Sequence, residues 1–169
     1  SLTDPLVVDD ESELTSLPIT IYKFDPTLAA EGKTCLRVIL KTTNYRYWHN
    51  LRKNDPEKYA QEKMRVAQDF IKILEQRLGN IKDQVEVIDV STPATFIRYT
   101  HNWRGSTQGW NWLPGLIPET MKKTLPKLKN FFMIGQWVSP GGGVSAAFVS
   151  GRDVSRIICK QDRKKFQTV

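Results

Sequence analysis

The chain has 169 residues, of which 40% are hydrophobic and 25% are charged, and its formal net charge is +7. That length suits one ordinary globular domain, and no apolar run approaches the ~20 residues that a helix needs to span a bilayer. The composition therefore excludes a membrane-spanning helix. The first residues, SLTDPLVVDDESE, are typical of the middle of a sequence, so we expect a longer parent chain.

The first half of the chain predicts a β-hairpin followed by a long helix. Residues 19–24 (ITIYKF) and 34–42 (TCLRVILKT) are rich in β-branched and aromatic residues, which predicts two strands joined by a long loop. Residues 44–53 show no clear period and are predicted to be irregular. Residues 56–78 carry apolar side chains at helical spacing, which predicts an amphipathic helix that ends before Gly79.

The second half predicts a strand over 84–90 and a short helix over 93–99, with Thr92 as its N-cap and Pro93 in its first turn. Residues 101–115 (HNWRGSTQGWNWLPG) hold three glycines and three tryptophans without a period, and long irregular loops of this kind are often functional. A connector over 116–129, a strand over 131–134 and a helix over 143–159 complete the prediction.

Charge and cysteine usage bear on location and partners. Cys35 and Cys159 lie in apolar periodic runs, which predicts reduced core residues in a cytoplasmic protein. Basic residues cluster over 122–129 and 163–165, which indicates either solvated charge or a peripheral contact with an anionic membrane. No nucleic-acid-binding pattern accompanies them, so no nucleic-acid partner is expected. The acidic run 9–11 is predicted to be a solvated loop.

The loop over 140–143 (PGGG), called the glycine loop below, precedes the predicted last helix. Its G-x-G-x-x-A pattern over 141–146 lacks the tight strand–turn spacing and the second strand of a dinucleotide-binding unit, so a self-contained nucleotide fold is rejected. Two interpretations remain. The glycines let backbone N–H groups at the helix start approach a cofactor held mostly elsewhere, or they form a tight turn ahead of a well-packed helix.

The aromatic loop also has two interpretations: its tryptophans line an apolar pocket, or they fasten a long loop to the core. Conventional catalytic and metal-binding patterns are missing from the sequence. His49 and His101 are too few and too far apart for a metal site or a nucleophile–base pair, and the cysteines are not spaced as ligands. We therefore predict no metal site and no catalytic side chain.

Two segments of the chain resemble one enzyme group. Residues 131–158 (FFMIGQWVSPGGGVSAAFVSGRDVSRII) are similar to the C-terminal flavin-contacting motif of the phytoene desaturase, carotenoid isomerase and retinol saturase group, within the flavin amine oxidase-like superfamily. Residues 92–110 (TPATFIRYTHNWRGSTQGW) are similar to the upstream motif of that group. Residues 21–40 resemble a stretch of its substrate domain, so the resemblance runs in order over about 15–160.

The resemblance implies an α+β fold. Residues 1–125 would form part of a substrate-domain β-sheet with flanking helices, and 126–169 would return a strand, the glycine loop and a helix to an FAD-binding domain. The implied FAD contacts are Gly135, Gln136, Gly142, Gly143, Val144 and Ser145. The implied substrate-lining residues are Trp103, Arg104, Gly105, Gly109, Trp110 and Trp137.

The implied activity of the full-length parent is hydride transfer between flavin and an apolar substrate of the isoprenoid or polyene kind. This chain alone is expected to be inactive and to bind FAD weakly or not at all, because one side of a site cannot offset the entropy of fixing a long cofactor. Trp137 stands where the group commonly has a small residue, and Ser145-Ala146 replaces a common Pro-Gly, which favours a substrate other than a carotenoid. The alternative is a non-catalytic α+β interaction or membrane-docking module.

Overall fold

The computed structural model describes residues 2, 4–110, 115 and 121–167. This part of the chain is α+β, with four α-helices and two small antiparallel sheets of two strands each. It divides into two units, unit 1 (residues 1–105) and unit 2 (residues 106–169). The division falls after Gly105, whereas the resemblance implies a domain boundary after residue 125.

The sheets of unit 1 are short. β1 (Leu6–Val7) pairs with β2 (Glu13–Leu14), and β3 (Ile19–Ile21) pairs with β4 (Leu36–Val38). The second pair confirms the predicted hairpin, although its strands are shorter than the predicted 19–24 and 34–42. Alternation along β4 directs Leu36 and Val38 toward the core, so that Cys35 before it is exposed, and its predicted burial is wrong. Cys159 is half-buried, and neither thiol is in a disulfide.

Two consecutive helices follow, α1 (Tyr45–Asn54) and α2 (Pro56–Leu78). The Asn44 side chain caps α1, and the Asp55 side chain caps α2 by accepting from the N–H of Lys58. α2 confirms the predicted helix, but the prediction of irregular backbone over 44–53 is wrong. Trp48 is the one residue that α1 buries, so its apolar pattern was too sparse to show a period.

The helix α3 (Pro93–Thr100) confirms the prediction, including its cap. Thr92 and Thr95 form a reciprocal capping box, and Tyr59 on α2 places its hydroxyl 2.8 Å from the Thr92 hydroxyl. The predicted strand over 84–90 is wrong: residues 82–84 form one 3-10 turn, and 85–90 have no regular structure. Alternating residues form a strand only beside a partner, and none pairs with this segment among the described residues.

Removing the cap of α3 should lower the stability of unit 1. We expect Thr92→Ala to reduce the free energy of unfolding by about 1–2 kcal/mol, because the Thr95 N–H and the Tyr59 hydroxyl each lose their hydrogen bond with the Thr92 hydroxyl. The matched control is Thr43→Ala at an exposed position, where no side-chain hydrogen bond is described. Urea unfolding measures both, and equal losses would show that the cap contributes nothing.

Two clusters form the core of unit 1, and α2 contributes to both. One contains Val8, Trp48, Val66 and Ala94, and the other contains Leu6, Phe70 and Leu74. The α2 residues of these clusters recur at helical spacing on one face, which is why its period was readable from sequence.

Asp9 is buried beside the first cluster, with 3% of its surface exposed. Its carboxylate accepts hydrogen bonds from the Trp48 indole N–H, the Thr42 hydroxyl and the Glu11 backbone N–H. The prediction of a solvated loop over 9–11 is therefore wrong at Asp9. A buried carboxylate needs donors, and here they come mainly from residues distant in sequence.

Unit 2 is built on α4 (Gly143–Gln161), which confirms the predicted last helix. Among its described residues, unit 2 buries Val138, Ser150 and Val154. The strand predicted over 131–134 is wrong: only Phe132 forms a β-bridge, with Thr124, next to a hydrogen bond from Met133 N–H to the Lys123 carbonyl. A single bridge cannot extend into a strand without a longer partner. Among the described residues, no helix combines the length and apolar character needed to cross a membrane.

Candidate functional site

The candidate site is the glycine loop of unit 2 with the segments that contact it. Gly141, Gly142 and Gly143 have φ angles of 78°, 56° and 78°. These values lie in the left-handed region, where a Cβ collides with the neighbouring backbone. Three such residues in succession explain why this part of the loop consists only of glycine.

The loop crosses the backbone of another segment at Gly142. A Cβ at Gly142 would overlap the backbone nitrogen of Gly109 and come within 2.5 Å of its Cα. In return, a Cβ at Gly109 would come within 2.8 Å of the Gly142 Cα and 2.6 Å of the Gln136 carbonyl oxygen. The resemblance implies a cofactor contact for Gly142 and a substrate contact for Gly109, and direct backbone packing brings these two glycines together.

The start of α4 presents backbone donors. The Gln136 side-chain oxygen accepts from the Gly143 N–H at 3.3 Å. The N-cap residue of α4 is Gly142, which has no side chain to cap the helix. The N–H groups of Val144 and Ser145, which follow in the first turn, have no acceptor within the helix. Val144 is 75% exposed, so an electron-rich ligand could reach this end of the helix, where the dipole is positive.

Ser150 fastens the segment before the loop to α4. Its hydroxyl accepts from the Gly135 N–H at 2.8 Å and donates to the Ala147 carbonyl at 2.7 Å, and the residue is fully buried. Sequence reasoning missed Ser150, although a small polar residue on the apolar face of the predicted helix was the available signal. Gly135 itself has a φ angle of 115°, and a Cβ added there would meet no atom within 4 Å.

Two tryptophans pack against each other next to the crossing. The Trp110 indole N–H donates to the Trp137 carbonyl at 2.8 Å, and the ring centroids lie 5.5 Å apart at 74°. Trp110 is 59% exposed, so much of its surface is open to solvent. Three of the predicted substrate-lining residues, Gly109, Trp110 and Trp137, are therefore grouped beside the glycine loop. Trp112, part of the same aromatic segment, lies outside the described residues.

An open depression of about 410 Å³ adjoins the loop and the first turns of α4. Its lining includes Gly141, Gly142 and Ser145. Lys123 and Asp153 also line it, with 3.7 Å between the Lys123 ammonium and the Asp153 carboxylate. Sequence reasoning missed this ion pair, because Lys123 was counted within a basic surface cluster.

The other three predicted substrate-lining residues belong to unit 1. Gly105 is buried with a φ angle of 73°, and a Cβ there would lie 2.5 Å from the Pro93 carbonyl oxygen. The Arg104 guanidinium lies 4.1 Å from the Trp103 ring centroid and 5.2 Å from that of Tyr45. The hydrogen bond from Arg46 and the charge of Arg104 lower the pKa of the Tyr45 hydroxyl. These residues form a stacked cationic–aromatic cluster within unit 1.

A search for metal-binding clusters among the described residues and comparisons with known proteins both gave no match. The described ranges contain no group of three or more His, Cys, Asp or Glu residues placed to hold a metal ion. Comparison with known proteins found no matching family model, no matching curated protein and no matching solved structure.

Proposed function

We propose that this chain is the C-terminal part of an FAD-dependent oxidoreductase whose glycine loop lies against the flavin. The observation that carries the proposal is the bare start of α4. Among the described residues, a Cβ at Gly143 would have only the Gln108 amide nitrogen within 4 Å, at 3.7 Å, and the N–H groups of the exposed Val144 and Ser145 have no acceptor within the helix. Reduced flavin carries negative charge along one edge, which a helix N-terminus stabilises.

The residues named from sequence fit this role unequally. Gly135, Gly143, Val144 and Ser145 leave room for a planar ring to approach the backbone. Gly142 already has a structural reason to be glycine, since its backbone packs on Gly109. The Gln136 side chain occupies the Gly143 N–H, so its contribution would be to hold the start of α4 in place.

Each part of the site has a distinct task in this proposal. A bound flavin supplies the redox chemistry, and the protein positions the substrate and keeps out water. The start of α4 stabilises negative charge through its backbone N–H groups. Trp110 and Trp137 offer an apolar ring surface beside the loop, which suits an isoprenoid or polyene substrate.

An exposed apolar surface on α4 supports the view that unit 2 completes a larger enzyme. Val144 and Phe148 are one helical turn apart and are 75% and 77% exposed. Large neighbouring apolar side chains at a surface mark a site of contact. In the proposal, the FAD and the remainder of its domain cover this face.

A non-catalytic docking module is the second candidate. Exposed Leu125 and Leu128 stand among the lysines of 122–129, which is the composition of a surface that binds anionic membranes. The visible spectrum of the purified full-length parent separates the two candidates. Flavin absorption supports the oxidoreductase, whereas a protein that stays colourless after FAD is added would favour docking.

A substitution at Gly143 tests the loop itself. We expect Gly143→Val in the parent to reduce flavin occupancy at least tenfold, because the side chain would stand between the helix start and the ring. Its matched control is Gly32→Val, since Gly32 has a φ angle of 77° against 78° at Gly143 and likewise no close neighbour. Both changes should cost about 1–2 kcal/mol of stability through left-handed strain. Equal flavin content in both variants, measured by absorbance after desalting, would contradict the proposed contact.

A further inference from the structure

A second cavity, of about 250 Å³, lies within unit 1. Three helices each contribute one cation to its wall: Arg52 from α1, Lys63 from α2 and Arg98 from α3. Asp89 and Ser91, in the segment before α3, complete the polar part of the lining. No sequence pattern indicated this convergence, because the three cations lie far apart along the chain.

The three cations are not neutralised by ion pairs. None of them takes part in a salt bridge among the described residues, and Arg52 and Lys63 are half-buried. Arg65, which is half-buried on the same helix as Lys63, has Glu62 at 2.8 Å and Asp69 at 3.3 Å. Arg98 is exposed. Like charges that line one cavity repel each other, most strongly where they are partly desolvated, and a bound anion would relieve that repulsion.

Aromatic rings and hydroxyl groups hold the cavity in shape. The Lys63 ammonium lies 5.6 Å from the Tyr59 ring centroid, and the Arg98 guanidinium lies 5.1 Å from that of Tyr99. The Tyr59 hydroxyl is 3.3 Å from the Thr95 hydroxyl, which also lines the cavity. Stacking on a ring leaves N–H groups at the edge of a guanidinium free to donate.

We propose that this cavity binds a phosphate monoester group. Three cations and the Asp89 carboxylate leave a formal charge of +2 (3 − 1), which matches the charge of about −2 on a phosphate monoester. The cavity is smaller than the roughly 300–1,000 Å³ of sites for drug-sized molecules, so it suits a compact head group. The phosphate is carried either by a small soluble molecule or by a lipid head group. This proposal is independent of the flavin.

Calorimetric titration of the 169-residue chain with inorganic phosphate at constant ionic strength tests the site. We expect K63Q/R98Q to weaken binding at least about tenfold, since charge-assisted hydrogen bonds contribute that much or more. K122Q/K127Q removes the same charge from exposed positions outside the cavity and should bind as the unmodified chain does. Ser91→Asp keeps all three cations but adds a carboxylate at the cavity, and it should likewise weaken binding at least about tenfold. Far-UV circular dichroism confirms that each variant is folded.

Sedimentation with vesicles distinguishes the two sources of phosphate. Binding to vesicles of phosphatidylcholine with phosphatidic acid, but not of phosphatidylcholine alone, supports a lipid head group if K63Q/R98Q removes it. Binding of free phosphate without vesicle binding supports a soluble ligand. No phosphate binding by the unmodified chain would overturn the proposal. Equal loss in K63Q/R98Q and K122Q/K127Q would do so as well, because it would show that net charge alone is responsible.

Discussion

Gly142→Ala will destabilise unit 2 by about 3 kcal/mol or more, while Gly151→Ala will not. The added methyl group at Gly142 overlaps the Gly109 backbone, which cannot move aside as the end of a flexible side chain could. Its φ of 56° and ψ of −157° also fall near a region that glycine alone adopts at low cost. Steric overlap and backbone strain therefore act in the same direction.

Gly151 supplies the matched control within α4. A methyl group there meets no atom within 4 Å, and alanine is favoured over glycine in a helix interior by roughly 0.5–1 kcal/mol. Urea unfolding followed by tryptophan fluorescence measures both variants. The Gly109→Ala, Gly142→Ala double variant should lose less than the sum of the single losses, because both methyl groups force open one crossing. Additive losses would contradict a shared contact.

Asp9→Ala should destabilise unit 1 by about 3 kcal/mol or more, because it removes the acceptor of the buried Trp48 indole N–H and of two part-buried donors. The Trp48 indole N–H, the Thr42 hydroxyl and the Glu11 N–H all lose the same carboxylate. Asp9→Asn retains one oxygen, so its stability should fall between that of Asp9→Ala and that of the unmodified chain. The measurement is the free energy of unfolding in urea.

The neighbouring Asp10 is the control for this prediction. Its carboxylate accepts one exposed hydrogen bond, from the Asn44 side-chain amide at 2.6 Å. Asp10→Ala should therefore change stability by less than about 1 kcal/mol. If Asp9→Ala and Asp10→Ala cost the same, the buried network contributes no net stability.

Local patterns account for what could be predicted of the fold. α2 has a long amphipathic period and α3 has a Thr-Pro start, so both are specified by neighbouring residues. α1 was missed because it buries only Trp48, although Asn44 was a usable capping signal. The predictions of a strand over 84–90 and of a solvated Asp9 were wrong for a common reason. Their outcome depends on partners distant in the chain, which local periodicity does not report.

The candidate site was predictable in part for the same reason. The glycine loop stands out in sequence because successive positive φ angles require glycine. The pairing of Gly109 with Gly142 and the convergence of Arg52, Lys63 and Arg98 arise only when distant segments meet. Sequence reasoning therefore located the loop but did not show which of its glycines serve packing and which leave room for a ligand.

The crossing of Gly109 and Gly142 also constrains how this chain can evolve. Where two side chains touch, a loss of volume on one can be offset by a gain on the other. Here both partners already have the smallest residue, and the contact is backbone to backbone, so no compensating exchange exists. We therefore expect divergent descendants of this chain to keep both glycines, or to lose both together with the course of the loop.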